Sequence, residues 1–275
     1  MAWCVVARFT IFGAGGLIGS RLMEQLAADG HETHAVYRDN WPEAGRDLGH
    51  VIYTIGLTAD FRGRPLETTA LHVIHLHEVL SRYDFASLLY LSTTRVYRGA
   101  TATGEEADLV ARPSVNDDIY NLTKMTGESL CLSLPASTIR VARLSNVYSP
   151  RDRSEVFLSS VLRDATTEGA VAFRTAPGSS KDYIYLDDAV SLLANIALAG
   201  KERLYNVASG INVSNEAIAK TLGDLGVTVS FEDNAPEASF PPIQIDRIRN
   251  EFQFKPRNLE TMLPAVFHEM QRGDV

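Results

Sequence analysis

What is scarce in this sequence narrows its function first. No stretch approaches the ~20 uninterrupted apolar residues that a membrane-spanning helix needs. No run of lysine or arginine breaks a net charge of −8, which argues against nucleic acid as the main partner. A local basic pocket for a small anion stays compatible with that charge. There are only two cysteines, Cys4 and Cys131, both in apolar surroundings and without metal-ligand spacing. Two reduced thiols are expected rather than a disulfide. The opening Met1–Ala7 is apolar but short, lacks a basic start and does not read as a signal peptide. Repeats and low-complexity segments are missing too. These observations predict a cytoplasmic protein with no membrane and no nucleic-acid partner.

What is present is an α/β pattern. Phe9–Phe12 is a β-rich run ending in the glycine-rich turn Gly13-Ala-Gly-Gly16-Leu-Ile-Gly19. Leu17, Ile18, Leu22, Leu26 and Ala27 then recur near helical spacing until Gly30, and His31–Tyr37 reads as a second strand. A strand, a glycine turn at a helix start and a second strand form one βαβ unit of about 30 residues. The helix start there offers backbone N–H groups to a dinucleotide pyrophosphate. Further strands are expected at Val51–Ile55, Leu88–Leu91 and Ser137–Ala142, with helices near 66–82 and 117–134. That alternation means parallel strands with crossover helices. After Pro150 the pattern predicts helices at 154–168, 187–199 and 214–225, a strand at 203–207 and a last helix near 258–272. The expected architecture is a Rossmann-like, doubly wound parallel sheet over 1–150, supplemented from 180–210. A small substrate lobe takes most of 151–275. Only 39–50 separates the second strand from Val51, too short for the usual extra helix and strand. The sheet should be truncated there, with 31–37 near an edge.

The chemistry is carried by Tyr120-Asn-Leu-Thr-Lys124. A tyrosine and a lysine four apart on a helix share a face. An ammonium beside a phenol favours the phenolate, so the tyrosine can exchange a proton near neutral pH. Combined with a dinucleotide turn, this implies hydride chemistry on an alcohol or a ketone. Three histidines, at 72, 75 and 77, do not share one helix face. They are expected on a partly exposed helix without a metal, His72 bordering the cofactor.

Six motifs occur in one order: Gly13-x-x-Gly16-x-x-Gly19, Leu91-Ser-Thr-Thr-Arg-Val-Tyr97, Tyr120-x-x-x-Lys124, Arg143–Pro150, Lys181–Asp188 and Leu204–Gly210. On these residues the chain resembles the extended short-chain dehydrogenase/reductases, in their nucleotide-sugar epimerase/dehydratase branch. The resemblance implies a catalytic set of Thr93, Tyr120 and Lys124, with Ser92 and Thr94 one register step from the threonine. It implies a cofactor set of Gly13, Gly16, Leu17, Ile18, Gly19, Tyr37, Arg38, Ile55, Gly56, Tyr120 and Lys124. The implied substrate set is Thr93, Asn146, Arg174, Lys181 and Arg247, and no metal is implied. Lys181 stands where the family usually has arginine, and Arg98 where it usually has glycine. Asp187 or Asp188 is expected to cap the helix that follows.

Two departures refine the expected activity. Related 4,6-dehydratases carry an Asp-Glu pair where this chain has Thr94-Arg95, so dehydration lacks its acid and base. The second strand ends in Tyr37-Arg38 rather than in the acidic residue that binds the ribose hydroxyls of NAD. Arg38 suits the 2′-phosphate of NADP, with NAD as the alternative. The reading is an NAD(P)-dependent enzyme on a nucleotide-activated sugar, reductase before epimerase. Reduction of a non-nucleotide ketone and a non-catalytic cofactor-binding protein are the alternatives, and a homodimer stays open.

Overall fold

The computed structural model describes residues 6–273, so Cys4 and most of the Met1–Ala7 opening lie outside the described residues. The chain starts with β1 (Arg8–Phe12), α1 (Leu17–Ala28), β2 (Glu32–Val36) and β3 (His50–Tyr53). One helical stretch follows as α2 (Pro65–Thr69), a π-turn at Ala70–Ile74 and α3 (His75–Arg82). Next, β4 (Ser87–Thr93) runs into a 3-10 turn at Thr94–Tyr97, followed by α4 (Asp118–Ser133) and β5 (Ile139–Leu144). The second half holds β6 (Asn146–Tyr148), α5 (Phe157–Glu168), β7 (Ala170–Phe173), β8 (Ser180–Tyr185), α6 (Leu186–Ala199) and β9 (Leu204–Val207). It closes with β10 (Asn212–Ser214), α7 (Asn215–Asp224), β11 (Thr228–Phe231), α8 (Asp246–Phe252) and α9 (Leu259–Arg272).

Six strands form the main sheet in the order β2-β1-β3-β4-β5-β9, all parallel. Its strands are apolar on both sides because both faces are covered. Along β4, Leu88 and Tyr90 enter one core while Leu89 and Leu91 enter the other, the period of two that a pleated strand imposes. Helices α1 and α6 cover one face, and α3 and α4 cover the opposite one. The free thiol of Cys131 is buried in that second layer. As the spacing predicts, β2 is an edge strand, and residues 37–49 contain neither helix nor named strand. Among the described residues no helix is long and apolar enough to cross a membrane.

A third core lies under β6, β8 and β10 and the separate pair β7–β11. Leu162 of α5, Phe173, Leu222 of α7, and Leu263 and Phe267 of α9 fill it. The short strands of this part escape the sequence reading, because runs of three to six residues inside motif or loop segments show no sustained alternation. The helix α8 was also missed. Its Ile248 returns with Ile243 and Ile245 to the first core, so the proline-rich stretch leads back toward β9. The expected cap is corrected as well. Helix α6 starts at Leu186 with Tyr185 as its N-cap and no side-chain cap bond. Asp187 instead accepts a hydrogen bond from Arg21 at 2.7 Å, and Asp188 accepts one from the Arg257 N–H at 3.0 Å.

Close packing fixes α4 on β4 at Gly127, where an added Cβ would collide with the ring and hydroxyl of Tyr90. Tyr90 is fully buried, so its ring cannot swing into solvent. Gly127→Ala should therefore destabilise the fold by about 1–3 kcal/mol, as overpacking does, read from the urea midpoint of unfolding. An unchanged midpoint would show that this contact yields.

Candidate active site

The glycine turn is shaped by two contacts. Gly13 has φ +87°, a backbone state that side chains strain, and a Cβ there would lie 2.7 Å from the Thr54 hydroxyl. Gly19, one turn into α1, is pressed on the turn so closely that a Cβ would meet the Gly13 carbonyl and lie 2.9 Å from Ala14 Cα. The turn thus delivers the start of α1 to the ends of β1 and β3. Gly16 is its N-cap and offers no side chain to the first N–H groups. Those donors point out of the helix with its positive dipole end, a seat for an anion. Gly16, Leu17, Ile18 and Gly19 line a pocket of about 410 Å³ with Gly56, Thr93, Tyr120 and Lys124. Gly56 packs close to α4, and a Cβ there would meet Lys124 Nζ and His72 at ordinary contact distance. The arrangement fits a dinucleotide. A diphosphate would sit on the α1 start, and the far ring would reach Tyr120 and Lys124.

Thr93 closes β4, and Tyr120 and Lys124 project from the first two turns of α4. Tyr120 is 5% exposed, with its ring against Phe61 at 5.1 Å and edge-on to His72 at 5.2 Å. Burial pushes its pKa up to about 12, and the Arg95 charge and a hydrogen bond with Thr93 pull the other way. Lys124 is buried, and its ammonium donates to the Leu91 carbonyl at 2.8 Å. Burial draws its pKa down to about 7, opposed by the charge of Glu128. The expectation that Lys124 lowers the tyrosine pKa is therefore corrected. Its Nζ is turned to a backbone carbonyl, and Arg95 and Thr93 act on the phenol instead.

The helical stretch that carries the three histidines is partly exposed, at Ile74 and His77, and His72 is fully buried on its inner face. It lies in the π-turn, which widens the helix opposite α4. Its Nε2 accepts the Leu57 N–H at 3.3 Å, so Nδ1 carries the proton and donates to Thr123 at 2.9 Å. Desolvation, with Lys124 nearby, takes its pKa down to about 2, so it stays neutral. His75 lies against Trp41 and His77 is exposed, so the three do not converge. Among the described residues no group of three or more His, Cys, Asp or Glu side chains could hold a metal ion.

The remaining expected residues divide. Asn146 and Lys181 line the pocket, Asn146 donating to the Asp182 carbonyl at 2.8 Å. Arg174 and Arg247 do not line it, because carboxylates hold them elsewhere. Arg174 is 87% exposed and 3.7 Å from Glu232, and Arg247 is held by Glu106 at 2.5 Å and the Leu204 carbonyl at 2.8 Å. Gly13 and Ile55 support the turn from beneath, outside the pocket wall. Tyr37 and Arg38 stand beyond the wall at the open sheet edge, with the Arg38 side chain 89% exposed and 3.9 Å from Glu67. Sequence reasoning missed Arg95, Ser145, Asp152, Ser154 and Phe240 in the wall, and Arg151 and Arg153 in a cleft beside the α1 start. For Arg151 and Arg153 a signal existed: they lie one and three residues after Pro150, at the end of the Arg143–Pro150 motif.

The family model described as the NAD dependent epimerase/dehydratase family matches residues 52–208, more than half of the chain. No curated protein matches the chain by sequence. Among solved structures, RMD from Pseudomonas aeruginosa, complexed with NADPH, is 20% identical with a TM-score of 0.80, over 97% of this chain and 100% of that one. TunA, an NAD dependent NDP-hexosamine 5,6-dehydratase involved in tunicamycin biosynthesis, is 18% identical with a TM-score of 0.80, over 97% and 98%. The UDP-glucose 4-epimerase of Thermotoga maritima, with UDP-glucose, is 16% identical with a TM-score of 0.74, over 98% and 100%. At these identities the likeness establishes a shared fold along nearly the whole chain.

The Lys124 environment has a measurable consequence. The folded chain releases that proton near pH 7, whereas an unfolded lysine holds it to about 10.5. Between those values the unfolded state binds more protons, so this residue makes stability rise with pH. Lys124→Met should raise the melting temperature of the ligand-free protein by about 2–4 °C at pH 6–7, the size of ~1 kcal/mol in a chain this long. The advantage should shrink toward zero near pH 10.5. A pH-independent difference in calorimetric scans would contradict a buried, depressed lysine.

Proposed function

This chain belongs to the NAD dependent epimerase/dehydratase family, and we propose that it is an NAD(P)-dependent enzyme acting on a nucleotide-activated sugar, with reduction of a keto-sugar as its reaction. One observation carries the reading: Thr93, Tyr120 and Lys124 face the same pocket as the uncapped start of α1. When bound, the nicotinamide ring would supply the hydride. The chain's own residues supply the rest. Thr93 holds the carbonyl oxygen by a hydrogen bond, and Tyr120 delivers its proton to that oxygen. The phenolate left behind is favoured by the Arg95 charge and the Thr93 hydroxyl, the two influences that already lower the tyrosine pKa. Lys124, with a pKa drawn down to about 7, can carry a proton to or from its Nζ at neutral pH.

Elimination of water is disfavoured, because Thr94 and Arg95 supply neither a carboxylic acid nor a carboxylate. Beyond the reacting centre, the pocket continues along Asn146 and Lys181, toward the second lobe. That space, and the fold shared with enzymes whose names specify nucleotide sugars, supports such a substrate over a small free ketone. Epimerisation would use the same residues and differ in keeping the cofactor bound between turnovers. The bare stretch at 37–49 leaves the β2 edge open, which favours an exchangeable cofactor and hence reduction. Arg38 at that edge favours NADP over NAD.

Tyr120→Phe removes the proton donor and leaves the packing in place. Turnover should fall about 10²–10⁴-fold, with cofactor affinity nearly unchanged. A variant that keeps most of its activity would refute the assignment.

Arg38→Ala should weaken NADPH binding by about 1.5–3 kcal/mol, the scale of a hydrogen bond to a charged group, and hardly alter NADH binding. Equal losses for the two cofactors in calorimetric titrations would show that Arg38 does not read the 2′-phosphate.

A further inference from the structure

Arg95 stands in the pocket wall beside Thr93 and Tyr120, yet its buried Nε and Nη2 find no hydrogen-bond partner among the described residues. Among the described residues its only ion pair is to Asp117, at 3.6 Å. That carboxylate is already claimed. Arg62 donates to it twice, at 2.5 and 3.1 Å, and Arg98 donates at 3.3 Å. Three guanidiniums sharing one carboxylate leave a surplus of positive charge. The Phe61 ring lies 5.4 Å from the central carbon of the Arg95 guanidinium, and burial, followed by the charges of Arg98 and Arg62, disfavours its protonated form. Phe61 also packs on Tyr120, so the arginine is held at the reacting end of the pocket. Lys181 adds a second cation across the same space. It rests over Phe157 at 4.8 Å with no carboxylate in salt-bridge reach among the described residues, and burial first, then the Arg95 charge, disfavours its protonated form. Two cations that repel each other across a half-buried pocket lack an anion. A planar fork whose Nε and Nη2 are both unpartnered matches a carboxylate in particular.

We propose that Arg95 is a specificity-determining residue that binds a carboxylate on the reacting moiety of the substrate, so that the sugar is an acidic one, of the uronate class, rather than a neutral hexose. The placement next to Thr93 and Tyr120 assigns the anion to the moiety that bears the reacting carbon, not to a distant diphosphate. Lys181 strengthens the field without supplying the fork. The uronate form rests on the nucleotide-sugar reading above. The carboxylate contact itself does not, since a nucleotide-free hydroxy acid carries the same group.

The test compares matched ligands on protein saturated with NADPH, by calorimetry or ligand-detected NMR. One pair is UDP-glucuronate and UDP-glucose; the other, without a nucleotide, is methyl glucuronide and methyl glucoside. In the wild type each acid should bind at least about tenfold tighter than its neutral partner, the low end for a charged hydrogen bond. In Arg95→Gln that preference should vanish while the neutral ligands bind as before. Arg95→Lys, which keeps the charge without the fork, should restore part of it. Acid and neutral sugar binding equally to the wild type, no binding by either acid, or a preference that survives Arg95→Gln would overturn the proposal. Equal weakening of UDP-glucuronate and UDP-glucose by Arg95→Gln would place the arginine on the diphosphate and overturn it too. If the free glucuronide outbinds the glucoside but the nucleotide adds nothing, the carboxylate contact stands and the nucleotide-sugar reading fails.

Discussion

The buried ion pair between Arg143 and Glu128 holds the site together. Arg143 on β5 donates to both oxygens of Glu128 on α4, at 2.7 to 3.2 Å, with each side chain 5% exposed. Ser92 on β4 donates to the same carboxylate at 2.5 Å. The other end of the guanidinium donates to the Tyr97 hydroxyl at 2.8 Å, and that hydroxyl donates to Asn206 on β9 at 2.8 Å. One network therefore ties α4 to three neighbouring strands and to the turn after β4. Losing one partner of such a pair leaves a buried charge and costs about 3–5 kcal/mol. The geometry that sets Tyr120 and Lys124 opposite Thr93 depends on it, because Glu128 is one helical turn beyond Lys124 on the same face.

Charge inside the pocket follows from that anchoring. Glu128 is satisfied by Arg143 and Ser92, so its negative charge offsets only part of the desolvation at Lys124. The lysine is left easy to deprotonate. On the other side of Tyr120 the arginines around Asp117 outnumber their carboxylate. The site is thus locally cationic in a chain whose net charge is −8. A developing oxyanion, a phenolate or a bound anion is stabilised there, and the long-range field of the protein has little bearing on it.

Much of this was legible in the sequence, for identifiable reasons. Strands buried on both faces appear as continuous apolar runs, so Leu88–Leu91 and Val51–Ile55 mark the sheet centre within a residue or two. The glycine turn and the Tyr120–Lys124 spacing are local, and helix geometry fixes their meaning. The short segment after β2 told of an edge strand, because chain length alone forbids another crossover. Contacts between distant segments were not legible. Arg247 and Arg174 read as free cations until Glu106 and Glu232 appear beside them. The reverse holds for Arg95: its sequence position only signalled a missing acid, and its unused donors emerge once Arg62 and Arg98 are seen to occupy Asp117. His72 lies on the buried face with Thr68, Leu76 and Val79, at ordinary helical spacing, but its partners Leu57 and Thr123 come from distant segments.

The central claim is that this pocket moves a hydride between a nicotinamide and a carbon of a sugar. The most direct measurement uses cofactor deuterated at nicotinamide C4 and a keto-sugar nucleotide in ordinary water, with mass analysis of the product. The account predicts one deuterium on the former carbonyl carbon and none elsewhere. Product without deuterium, or product formed equally well without cofactor, would contradict it.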